Sequence, residues 1–173
     1  MKKVLLAVMM IALFVPVVFG QSIAKQLQDV SVTVHADGGS GSGVIITRDV
    51  KLTVDDKTPT KVNFVWTAGH VVDSLRQIRE VIDGTGGKKT VIEFRPAFIT
   101  KDLVENGRKV GETRMEARVI KYSDAENGED LALLMVYKKD FVTSSAKFHL
   151  SSKEPLELGT ELVHVGSLLG QGG

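Results

Sequence analysis

The chain has 173 residues, 43% of them hydrophobic and 25% charged, which is enough apolar material for one moderate core or two small ones and excludes a disordered polymer. Its 22 Lys and Arg stand against 21 Asp and Glu, scattered rather than clustered, so neither nucleic acid nor an anionic membrane surface is expected as the main partner. Cysteine is absent, so a core alone must hold the fold, and thiol catalysis and thiolate metal sites are excluded.

The first twenty residues differ from the rest. Lys2 and Lys3 precede an almost unbroken apolar run from Val4 to Phe19, and Val18-Phe19-Gly20 places small or medium residues where a signal peptidase reads. The expectation is a secretory signal over residues 1–20, cleaved after Gly20, and a secreted or periplasmic mature chain that begins at Gln21 and has no membrane partner. An uncleaved anchor is the alternative. Against it, Pro16 interrupts the run, whose length is marginal for a hydrocarbon core of roughly 30 Å.

After the signal, Ser22 to Gln28 can form a short helix with Ile23, Ala24 and Leu27 on one side. The period then changes to two. Val30, Val32 and Val34 alternate with Ser31, Thr33 and His35, the pattern of a half-buried strand with His35 on its polar face. Asp37 to Gly43 reads as a flexible turn; a phosphate cradle would need a helix behind it, whereas the strand Val44 to Thr47 follows. A polar loop with Asp55, Asp56 and Pro59 leads to a strand over Val62 to Thr67. Further strands are predicted over Thr90 to Arg95, Met115 to Tyr122, Leu131 to Tyr137 and Glu161 to Val165, with hairpin turns at Gly84 to Lys89 and Asn106 to Arg108. Short strands in this number, with one or two short helices and no linker, predict a single all-β domain over residues 21–173, a sandwich or a barrel.

Two segments carry chemistry. Val65-Trp66-Thr67-Ala68-Gly69-His70 is an apolar strand that ends in small residues and presents a histidine, with Val71 to Leu75 able to make a helical turn that packs back on the core. Asp130-Leu131-Ala132-Leu133-Leu134 sets a carboxylate at the entrance of a run that is apolar on both faces, which predicts burial on both sides. Acyl transfer by serine needs a base that accepts the hydroxyl proton and a carboxylate that fixes the imidazole tautomer, and His70 and Asp130 suit those roles. Asp124, Glu126 and Glu129 read as solvated loop charges. His149 and His164 have no metal-ligand spacing with His70, so no catalytic metal and no cofactor are expected.

These residues resemble the trypsin-like serine proteases, in particular the cysteine-free bacterial HtrA-like branch and related bacterial or phage peptidases. Gly41-Ser42-Gly43-Val44-Ile45-Ile46 is similar to the family's strand opening, Thr67 to Val72 to its histidine motif, and Asp130 to Leu134 to its aspartate motif. Gly159 with Leu162, Val163, Val165 and Gly166 resembles the strand that begins a second barrel. The resemblance spans about Val30 to Gly170. It implies a double β-barrel, the first complete and the second truncated, acting on polypeptide substrates in the cleft between them. His70 would be the general base and Asp130 its orienting partner, held by the amides of Gly69 and His70.

The family's Gly-x-Ser-Gly nucleophile segment is missing after Asp130: Ser151, Ser152 and Ser167 lack flanking glycines and read as turn or surface serines. The chain is therefore expected to be the amino-terminal part of a protease, inactive by itself. The alternative is a pseudoprotease, a non-catalytic barrel that binds peptides or a partner protein.

Overall fold

The computed structural model describes residues 16–51, 57–139, 141–149 and 155–166. A helix, α1 (Pro16–Val30), leads into β1 (Ser31–Ala36), β2 (Gly39–Val50) and β3 (Thr60–Thr67). A short helix, α2 (Gly69–Val72), and a 3-10 turn (Asp73–Leu75) follow. Then come β4 (Arg76–Ile82), β5 (Lys88–Phe94), β6 (Ala97–Glu105), β7 (Arg108–Ser123) and β8 (Leu131–Val136). Six strands close into an antiparallel barrel in the order β1-β2-β3-β8-β7-β6, while β4 and β5 pair as a separate two-stranded ribbon. The chain is thus all-β with few helices, as the alternation of its side chains predicts.

Alternation also explains closure. Val34, Ile45, Val65, Ile99, Ala117 and Leu134 come one from each barrel strand, and all six are fully shielded from solvent in one cluster. Each aliphatic side chain larger than alanine that is buried this way contributes about 1.5–3 kcal/mol. Val72 and Leu75, from the turn after β3, join the same cluster.

Several expectations need correction. Asp37 to Gly43 is not a loose turn: β2 already begins at Gly39 and pairs with β1 from Ala36↔Gly39 to Ser31↔Val44, leaving Asp37 and Gly38 to turn the chain. The glycine at position 41 reflects close packing, because a Cβ there would run into Cγ2 of Val71. β1 is covered on both sides, with Thr33 buried and His35 half-buried, since the end of α1 and Val165–Gly166 share a groove of about 360 Å³ with its outer face. α1 is longer than Ser22 to Gln28 and takes in Val30. Its last turn is held by Lys101 Nζ, which donates to the Gln28 carbonyl at 2.8 Å, and by Ser31 Oγ, which donates to the Leu27 carbonyl at 2.7 Å. No described helix is long and apolar enough to cross a membrane. Residues 1–15 of the expected signal lie outside the described residues, as do Asp55 and Asp56.

Strand β8 is buried on one face only: Ala132, Leu134 and Val136 point inward, whereas Leu131 is 41% exposed and Leu133 and Met135 are partly covered. Its outer face meets Trp66 and Phe64 of β3 across the ladder, and Phe148 stands edge-on to Trp66 at 6.2 Å. The Glu161 to Val165 strand does not form. Its residues run without a ladder partner, and Leu162 and Val163 are exposed. A closed barrel offers no free edge, so alternation alone cannot make that segment a strand.

Candidate functional site

His70 is carried by a turn that is rigid at both ends. Thr67 closes β3 with its hydroxyl donating to the Ser42 carbonyl at 2.8 Å, and Val72 and Leu75, at 0% and 1% exposure, anchor the far side. The imidazole itself is 65% exposed. A fixed backbone under an open side chain is what a base facing a cleft requires.

Asp130 is placed by the loop that joins β7 to β8. Asp124 Oδ1 accepts the Asn127 amide at 2.6 Å, Ser123 Oγ accepts the Glu129 amide at 2.8 Å, and the Asp124 carbonyl accepts the Asp130 amide at 3.3 Å. Asp124 is therefore part of the loop's architecture as well as a surface charge. The loop delivers Asp130 with φ of 50°, a left-handed conformation that Asp tolerates better than most residues.

The structure brings the two together across 60 positions of sequence. The His70 amide donates to Asp130 Oδ1 at 2.8 Å, and His70 Nδ1 lies 2.8 Å from Oδ2. An ionised carboxylate only accepts, so Nδ1 carries the hydrogen, and in the neutral ring the lone pair is then on Nε2. Among the described residues none hydrogen-bonds Nε2. The His70 amide first, then the imidazole, holds the Asp130 carboxyl below the usual carboxylate range, with a smaller contribution from the Gly69 amide and against a partial desolvation.

Gly69 makes this approach possible. A Cβ at that position would collide with the Ser123 carbonyl and lie 3.2 Å from Asp130 Oδ1. The small side chains before His70 are thus a steric condition for the pair, beyond leaving room around the ring.

His70 opens on a cleft of about 430 Å³ walled by Ala68, Val71, Ser74 and the Gly38 to Ser42 strand opening. The hydroxyl-bearing wall residues are Ser40, Ser42 and Ser74, and Ser40 stands in the run Gly38-Gly39-Ser40-Gly41, which reads as a turn in the sequence. Ser145, which also follows Asp130, is committed elsewhere: its Oγ accepts from the Thr47 amide at 2.9 Å and donates to the Ala146 carbonyl at 3.3 Å, while the neighbouring Ser144 carbonyl accepts from Thr47 Oγ1 at 3.2 Å. Ser151, Ser152 and Ser167 lie outside the described residues. His35, His149 and His164 take no part in the hydrogen bonds around His70. Among the described residues, no group of three or more His, Asp or Glu side chains is placed to hold a metal ion.

Comparisons with protein-family models, with curated proteins and with solved structures find no match to this chain. The fold and the His70–Asp130 pair therefore stand on their own geometry.

Proposed function

We propose that this chain supplies the histidine and aspartate of an exported serine-type endopeptidase. In this reading residues 31–136 form the first barrel of a trypsin-like double barrel. The observation that carries it is the Asp130 carboxylate gripped twice by one residue, through the His70 amide and through Nδ1. That grip leaves Nε2 as the basic nitrogen, facing an open cleft, which is the state a general base must hold before it accepts a hydroxyl proton. Substrates would be polypeptides, attacked by a serine contributed from outside residues 131–173, where no Gly-x-Ser-Gly occurs. The missing attack group and its oxyanion donors are decisive for rate, since each such donor is typically worth about 10² to 10³.

The test begins with the coding sequence downstream of codon 173. If the frame continues into a Gly-x-Ser-Gly segment, the longer product should label with a fluorophosphonate and hydrolyse casein, and His70→Ala or Asp130→Asn should each lower turnover by about 10³ or more. The 173-residue chain alone should do neither. A longer product that contains the motif and keeps full activity in His70→Ala would refute the assignment. A stop codon directly after Gly173 would instead favour the peptide-binding alternative, testable by calorimetric titration with extended peptides.

A further inference from the structure

We infer that Tyr122 is a positioning residue for the His70–Asp130 pair, tying the turn that presents the histidine to the strand that leads to the aspartate. The relevance of this tie to catalysis rests on the peptidase reading; the tie itself does not.

A register shift aims Tyr122. Along β7 and β8, Val119 stands opposite Leu134, but Lys121 stands opposite Leu133 and Tyr122 opposite Ala132, so Ile120 is an extra residue on β7. Residues opposite each other in an antiparallel pair project from the same face, and a bulge re-aims whatever follows it. Leu134 and Ala132 both point inward, at 0% and 1% exposure. Val119 and Tyr122 consequently share the inner side although they are three positions apart, and both pack on the core cluster. Without the bulge, strict alternation would turn Lys121 inward and Tyr122 outward.

Thus aimed, the Tyr122 hydroxyl donates to Asp73 Oδ1 at 2.7 Å. Asp73 closes α2 and opens the 3-10 turn, three residues after His70. On its own strand Tyr122 adjoins Ser123, whose carbonyl abuts Gly69 and whose hydroxyl holds the Glu129 amide in the loop that delivers Asp130. One side chain therefore links both elements of the pair. The base of the ribbon closes around it: the Phe94 ring lies 5.0 Å away, and the Arg76 guanidinium stands 5.7 Å over the phenol ring and 4.0 Å from Asp73. Burial first, then the bond to Asp73, pushes the phenol pKa up to about 12, so the donor persists through the whole working pH range.

The experiment reads the Nδ1-bound proton of His70 by 1H–15N NMR on the full chain, with solvent exchange rate as the measure. Tyr122→Phe keeps the ring and removes only the donor. It should speed exchange about five- to tenfold, the worth of one hydrogen bond, while the ring signals of His35, His149 and His164 stay in place. Asp73→Ala, at a more exposed position, should do the same. Asp73→Asn retains an acceptor oxygen and should restore the wild-type rate. Unchanged exchange at His70 in both Tyr122→Phe and Asp73→Ala, even with lowered thermal midpoints, would reduce Tyr122 to a packing residue. Asp130→Asn separates the two ideas: a His70 signal indifferent to that substitution removes the dyad, and Tyr122's role with it.

Discussion

Asn63 pairs with Val142 as one strand residue pairs with another. Its Nδ2 donates to the Val142 carbonyl at 3.0 Å and its Oδ1 accepts the Val142 amide at 3.2 Å, while Nδ2 also reaches Thr47 Oγ1 at 2.9 Å. At 1% exposure this amide is a buried polar group with each of its atoms engaged. It fastens the segment after β8 back onto the barrel, together with the Ala146 amide, which donates to the Ile45 carbonyl at 2.9 Å.

Asn63→Ala should therefore cost about 1–3 kcal/mol, because the Val142 amide and carbonyl lose their partners where water does not replace them. Urea unfolding checks this. Limited proteolysis of the variant should cut faster between residues 141 and 149, ahead of the barrel strands.

Gly69→Ala should destabilise by about 1–3 kcal/mol and separate His70 from Asp130, since the added methyl meets backbone rather than a movable side chain. Thermal melting gives the first quantity, and faster solvent exchange of the His70 amide than in the wild type gives the second. Ala68→Gly, one residue earlier, should leave that amide protected.

Acid should weaken the protein in part through Asp130. Its folded carboxyl sits below its unfolded value, so its contribution is present above about pH 4 and is lost as pH falls through the folded value. The melting-temperature gap between wild type and Asp130→Asn should favour the wild type at neutral pH and close on acidification. Asn is the right probe because it also tolerates the left-handed backbone. A gap that is flat from pH 7 to pH 2 would contradict the ionic role.

Export should yield a mature amino terminus at Gln21, which intact-mass analysis of secreted or periplasmic material would detect. Helix α1 spans the expected cleavage bond in the uncleaved chain, while the contacts that hold its last turn, at Leu27 and Gln28, lie beyond it. Removal of residues 1–20 should accordingly leave the melting temperature of the barrel unchanged. Recovery of a product that retains Met1 would count against the signal.

Periodicity made most of the barrel readable. The runs at Val62 to Thr67 and Leu131 to Tyr137 were legible as strands from their short apolar content, although the second, apolar on both faces, hid that only Ala132, Leu134 and Val136 point inward, and the Asn106-Gly107 turn was legible because its backbone dihedrals, φ of 52° and 75°, suit that pair of residues. His70 and Asp130 were legible as motifs. Strands β4 and β6 were not, since Arg76 to Ile82 mixes charge with isoleucine on a ribbon that has no buried core face, and Ala97 to Glu105 begins just after Pro96 with only its first half buried. Glycines at 39, 41 and 43 hid the start of β2, because the reason for two of them is the side chain of a distant neighbour, Val71 at Gly41 and Val65 at Gly43. Tyr122 was hidden by the bulge: no local pattern reports that an extra residue at Ile120 has reversed which way the next side chains point.

The ribbon of β4 and β5 stands apart from the barrel ladder, with Ile78 and Ile92 opposite each other and exposed, and with its tip closed by the Asp83 side chain accepting the Thr85 and Gly87 amides. Every barrel strand is constrained by two neighbours and a common interior; the ribbon answers only to its base. Insertions in its tip cost little, since doubling the length of a flexible loop adds only about 0.6 kcal/mol of closure entropy. Descendants of this chain can therefore lengthen, shorten or resurface that arm while the barrel stays nearly constant, so divergence should accumulate in Arg79 to Lys89 long before it reaches the strands around His70.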